Sequence, residues 1–313
     1  MIGRRGRRGT RVGAVAGALV LVLALAGCRT GEGAGGDAGA GGGDGVADHE
    51  DLPEVSGDAS TLVLQVSSGG GFVPFGYYFS SVPTMSVYAD GTAVLHGPMT
   101  MQYPGKALPN LQLAQLPDDA LDRIVQAALD ADLLGPAPEY GAPNVTDLPS
   151  TVVTIVVGGE TFVHSAYALG VGPGEGPGSE DMFGGGESGL TEEQSAVRVN
   201  LAGFVEAVNG IVTNTPTREQ YRATAVGVMA YPVDTESASD GDFQPTRRPW
   251  PVPGLALADA GTCALVDGDD AQVLLTDLED ADELTRFEQD GVVYDAWFRL
   301  LLPHEKSCAD LPG

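Results

Sequence analysis

The sequence predicts an α+β fold: antiparallel hairpins with a few amphipathic helices, forming one large domain or two packed subdomains. Three observations predict it. Short β-branched runs face each other across glycine-bearing turns, and helix-period apolar stripes fall between them. Strands and helices mix without regular βαβ alternation, which favours antiparallel over parallel sheet.

Taken in order, Thr61–Val66 is the first expected strand. Met85–Ala89 and Thr92–His96 flank Asp90-Gly91, which predicts a two-residue hairpin turn with positive φ at both positions. Asp118 and Asp119 suit the positive end of a helix dipole. The helix behind them has Leu121, Ile124, Val125 and Ala128 on one face. Thr151–Val157, Gly158-Gly159 and Thr161–His164 spell a second hairpin. Thr191 and Gln194 match a capping box, opening a helix whose stripe is Val197, Leu201, Phe204, Val205 and Val208. Ala223–Tyr231 predicts a strand, and Arg247–Pro253 an extended polyproline-like stretch. Cys263–Val266 (strand), Ala271–Leu278 (helix), Leu284–Phe287 and Val292–Phe298 (strands across Asp290-Gly291) complete the set.

Residues 1–27 have a different character. Arg4, Arg5, Arg7, Arg8 and Arg11 precede an uncharged run from Val12 that ends Leu25-Ala26-Gly27-Cys28. A basic segment, an apolar segment and a small-residue site form a secretory leader pattern. With cysteine next, Gly27-Cys28 reads as a lipoprotein cleavage site and Cys28 as the acylated residue. The apolar run is shorter than the ~20 residues that span a bilayer. Residues 28–57, with nine glycines between positions 31 and 45, read as a tether too poor in apolar surface to repay ordering. The folded part divides at 58–213 and 214–313, with the boundary in Thr213–Thr217.

Charge limits the partners. The chain has 43 acids and 16 bases, a net charge of −27, and loss of residues 1–27 would leave about −32. Nucleic acid is excluded as a partner, because phosphate binding needs the Lys and Arg that are missing. A membrane reached through the lipid anchor, and an unknown protein or envelope ligand, remain. Cys263 and Cys308 are then the one pair left, and no second cysteine or histidine stands at metal-ligand spacing from either. In an exported chain they predict a disulfide.

No catalytic constellation emerges. Ser188, in Gly186-Glu187-Ser188-Gly189-Leu190, misses the G-x-S-x-G spacing and lies in a Gly/Pro-rich loop from Gly170 to Gly189. His49 falls in the tether, His96 and His164 end strands, and His304 is expected in a polar turn. Asp267, Asp269 and Asp270 are weak calcium candidates, as is Asp240-Gly241-Asp242. Neither cluster has EF-hand spacing, and Asp-Gly clusters are more often plain turns and helix caps. No cofactor is implied. Phe72, Phe75, Tyr77, Tyr78 and Phe79 crowd a loop after Gly69-Gly70-Gly71, as a recognition surface or a core lid.

Gly69–Pro74, Val82-Pro83, Tyr88–Thr92 and Leu301–Cys308, taken with Leu25–Cys28, resemble uncharacterised actinobacterial lipoproteins. The resemblance implies location and disulfide and transfers no catalytic residue. The expected function is a lipid-anchored extracytoplasmic protein, cell-membrane-bound on the outer face, with a non-enzymatic binding or envelope-associated role. An exported hydrolase acting on cell-wall polymers is the alternative, and a calcium-stabilised module a third.

Overall fold

The computed structural model describes residues 52–170, 189–215, 218–233 and 244–311. Gly27, Cys28, His49, the tether up to Asp51, Ser188 and Asp240-Gly241-Asp242 lie outside the described residues. The fold is α+β, built on two sheets.

The first sheet has seven strands. They are β1 (Leu62–Gly69), β2 (Met85–Tyr88), β3 (Thr92–His96), β4 (Leu111–Gln115), β5 (Ser150–Val157), β6 (Glu160–Tyr167) and β7 (Arg218–Gln220). Their order is β6-β5-β1-β2-β3-β4-β7, antiparallel throughout. The second sheet contains β8 (Ala225–Pro232), β9 (Arg247–Pro249), β10 (Ala264–Asp267), β11 (Arg286–Gln289) and β12 (Val292–Leu300). Its order is β10-β8-β12-β11-β9, and only the β9–β11 pair is parallel. Among the described residues five helices accompany them: α1 (Phe75–Ser80), α2 (Ala120–Asp130), α3 (Glu192–Thr213), α4 (Leu257–Ala260) and α5 (Gly268–Leu278).

Strand periodicity explains the layers. Along β2 and β3, Met85, Val87, Ala93 and Leu95 point to one core, while Tyr88 and Val94 point to another. The first core is closed by Ile124, Val125 and Ala128 of α2 and by Leu201, Phe204, Val208 and Val212 of α3. The second joins Tyr88, Val94 and Leu111 to Val226, Val228, Phe298 and Leu300 of the second sheet and to Leu274 and Leu278 of α5. Hence the middle of the first sheet is buried on both faces. Trp250, Phe287 and Phe298 form the aromatic centre of the second core, with ring centroids 5.4 to 6.5 Å apart.

Local signals act as expected at several elements. Thr191 Oγ1 accepts from Gln194 N–H at 3.1 Å, and Gln194 Oε1 accepts from Thr191 N–H at 3.0 Å, closing the capping box of α3. Gly158-Gly159 and Asp290-Gly291 both have positive φ at their two positions, as two-residue hairpin loops require.

Elsewhere the structure departs from the expectation. Asp90-Gly91 is part of a three-residue loop, Ala89-Asp90-Gly91, in which only Gly91 has positive φ. Asp90 Oδ1 instead accepts from Thr92 N–H at 2.9 Å and from its hydroxyl at 2.7 Å, a side-chain turn that relieves Asp90 of the left-handed conformation. Arg247–Pro249 is an edge strand, where the missing proline N–H costs no ladder bond. The aromatic segment after Gly71 contains the short helix α1, with Phe79 buried and Phe72 exposed.

Cys263 and Cys308 are disulfide-bonded, with Cα atoms 5.9 Å apart and a sequence separation of 45. The bridge ties the front of β10 to a 3-10 turn at Cys308–Asp310. Replacing both cysteines by alanine is expected to lower stability by about 4 kcal/mol on the chain-entropy estimate. Denaturant unfolding of the variant, compared with the oxidised protein, reads that loss directly.

Candidate functional site

Where β12 ends, the chain runs Leu300-Leu301-Leu302-Pro303-His304-Glu305-Lys306 and turns back on itself. Leu301 and Leu302 are buried apolar residues, so they draw the polar residues behind them toward the interior. Arg299 waits there with its side chain 1% exposed, opposite a Glu305 side chain 3% exposed. Arg299 Nη2 donates to Glu305 Oε1 at 2.5 Å, and Leu302 N–H donates to Glu305 Oε2 at 2.7 Å. Arg299 Nη1 donates to Leu300 O at 3.1 Å, whereas its Nε has no partner. Burial pushes the Arg299 guanidinium down and the Glu305 carboxyl up, and each partner opposes the shift of the other.

His304 projects from the same turn toward the first sheet. Its Nδ1 lies 3.1 Å from Tyr88 Oη and its Nε2 lies 3.2 Å from Gln65 Nε2. Tyr88 can donate or accept, so a neutral imidazole with one N–H is satisfied here. Burial, then the nearby Arg299 charge, push the imidazole down to about 4. Burial likewise raises the Tyr88 and Tyr221 hydroxyls far above their ordinary value. Tyr221 O–H donates to Leu301 O at 2.7 Å, fastening the end of β12 to the chain just after β7.

Beside this seam opens a concavity of about 510 Å³. Tyr221, Thr224, Asp267, Pro303, Glu305 and Lys306 are among its lining residues. Two carboxylates and one ammonium therefore meet in one groove, walled by the start of β8, the end of β10 and the C-terminal turn. Glu305 reaches it with both oxygens already engaged. A general base needs a free oxygen within reach of substrate, so Glu305 is not placed to act as one.

The sequence candidates are distributed as follows. Asp267 precedes α5, and Asp269 and Asp270 fill its first turn, where the helix dipole favours acids. Among the described residues, no group of three or more His, Cys, Asp or Glu is gathered in a way that could hold a metal ion. His164 is wholly buried, between Tyr140 Oη and Leu133 O at 2.8 Å each, and fastens the loop after α2 to β6. His96 Nε2 lies 3.2 Å from Val82 O. His304 lies in a turn as expected, but its ring is directed to Tyr88 and Gln65 of the first sheet, following the burial of Leu301 and Leu302 before it. Arg198 was not singled out by sequence. It is buried on α3 and donates to Tyr167 O at 2.8 Å and Ala168 O at 2.7 Å. Its position among the apolar residues of the α3 stripe was the available signal.

No family model matches this chain, and no curated protein or solved structure is similar to it.

Two outcomes follow from the seam. Glu305→Gln strands the Arg299 charge and is expected to cost about 3–5 kcal/mol in urea unfolding, while Arg299→Met with Glu305→Leu recovers most of that loss. For His304, the unfolded chain takes up the proton near the ordinary 6.5, well before the folded one near 4. Its contribution to stability is thus complete above about 6.5 and is lost as pH falls toward about 4. Melting temperatures across that window are expected to fall more steeply for the native chain than for His304→Gln.

Proposed function

We propose that this chain is a lipid-anchored extracytoplasmic protein, held on the outer face of the cell membrane through Cys28, with a non-enzymatic binding or envelope-associated role. The Cys263–Cys308 disulfide carries the reading, because such bonds persist in oxidising compartments and are rare in the cytosol. The leader pattern before Cys28 supports it independently. No helix among the described residues is long and apolar enough to cross a membrane, so attachment through a lipid is compatible with the fold. Two acyl chains on one thiol supply the two signals that stable anchoring requires.

Binding is favoured over hydrolysis by the state of the groove. A retaining or inverting glycosidase needs two carboxyl groups free to face the scissile bond. Glu305 instead spends its oxygens on Arg299 and Leu302. A net charge of −27 makes an anionic ligand a poor match. We therefore assign the groove a small neutral or cationic ligand that meets the Asp267 carboxylate, the Lys306 ammonium beside it already donating to Pro303 O.

Mass spectrometry of the exported protein tests the placement. The expected N-terminal peptide begins at Cys28 and carries the mass of a diacylglyceryl group, and Cys28→Ser abolishes both. An intact Met1 with a free thiol at Cys28 would overturn the proposal.

A further inference from the structure

From Ala59 to Pro117 the only charged residues are Asp90 and Lys106, although acids number 43 in the 313 residues of the chain. The strand registers show where this neutral stretch is displayed. Val66 pairs with Met85, and Met85 with Leu95, so the loops after β1 and after β3 leave the same end of the first sheet. Asp90 sits in the β2–β3 turn at the opposite end. On the two loops, Phe72 is 93% exposed, Met99 is 72% exposed and Met101 is fully exposed, with Tyr77 and Tyr103 exposed behind them. Acids border the loops without entering them. The Asp147 backbone approaches Gly71, Glu283 accepts from Gly105 N–H at 2.9 Å, and Lys106 pairs with Asp282 through a backbone bridge.

We propose that this end of the sheet, residues 70–78 and 97–105, docks onto the neutral, zwitterionic interface of a lipid bilayer. Side chains as exposed as Phe72 and Met101 touch almost none of their own chain. They make no packed apolar face of the kind a protein partner needs for shape complementarity. A fluid interface needs no such face, since it closes around single projecting apolar groups, and tyrosine settles at headgroup depth. Charge selects the orientation. A neutral interface is entered at least cost by side chains that carry no charge, since withdrawing an ion from water costs far more than withdrawing an apolar group, so these two loops are the part that inserts.

The proposal rests on the lipid-anchor reading only for keeping the domain near the membrane. The described chain starts beside the β5–β6 turn, where Gly158 N–H donates to Glu54 O at 3.2 Å, at the end of the sheet away from the loops. The chain from Cys28 to Leu52 can span at most about 80 Å. An eight-residue strand is only about 26 Å long, so the anchor permits loops-down docking.

The test places a tryptophan at the loop tip or elsewhere in the full chain, reconstituted in phosphatidylcholine vesicles containing brominated lipid. Met101→Trp is expected to lose most of its added emission, whereas Val199→Trp, exposed on α3, keeps it. Adding Phe72→Ser and Met99→Ser to Met101→Trp restores the emission. Exchanging phosphatidylcholine for phosphatidylglycerol weakens the quenching. Equal quenching at 101 and 199, or stronger quenching on phosphatidylglycerol, overturns the proposal. So does a doubling of particle mass in the absence of vesicles that the two serine substitutions abolish, which would assign the surface to a second copy. Mass analysis of Cys28 keeps the two readings apart. An acylated chain with unquenched Met101→Trp removes the docking alone, and an unacylated chain with quenched Met101→Trp removes the anchor alone.

Discussion

A guanidinium withdrawn from water is the constraint around which the rest of this structure is arranged. Arg299 lies near the end of β12, almost without exposure, and such a charge is tolerated only with a counter-charge and good hydrogen bonds. Glu305 is the counter-charge, and it arrives only because the chain reverses after Leu302. The same reversal carries His304 to Tyr88 and Gln65 of the other sheet. The Cys263–Cys308 bridge then holds the returning segment against β10. One ion pair thus decides where the C-terminal segment lies and which groups line the seam between the sheets. A buried pair of this kind adds little stability over an apolar substitute. It does make other dockings of the segment costly, because each would leave a charge unpaired.

Around that seam the apolar packing is conventional, and it explains why the polar cluster can be small. The first core is closed by α2 and α3, and the second by α5 and the Trp250–Phe287–Phe298 group. β2 to β4 face both cores, so a shift in either is felt in the strands that carry Tyr88. The groove beside the C-terminal turn inherits its chemistry from this arrangement. It opens where apolar packing gives way to the seam, next to Glu305 and Tyr221.

Elements governed by near neighbours were legible in the sequence. The stripes of α2 and α3, the capping box and the Gly158-Gly159 turn depend on residues within one or two helical turns or one hairpin. The same dipeptide nonetheless closes two different loops, since Asp290-Gly291 takes positive φ at both positions and Asp90-Gly91 only at glycine. The hydrogen bonds from Asp90 to Thr92 account for the difference. β4 and the three-residue β7 escaped notice because neither has a strong pattern and each is stabilised by its partner strand. The seam was hidden for a related reason. Arg299 stands in a run of apolar residues, and His304 is separated from Tyr88 by 216 residues and from Gln65 by 239. Periodicity and turn chemistry do not reach across such distances. The disulfide was legible because the expected export and the expected acylation of Cys28 left Cys263 and Cys308 as one pair.

Native-state hydrogen exchange tests most directly whether the Arg299 seam makes one cooperative unit of both sheets. The slowest amides of β5 and of β12 should share a single opening free energy, and Glu305→Gln should lower both by the same amount. If β12 opened at lower free energy while β5 kept its protection, or if the substitution affected the second sheet alone, the seam would not be what joins them.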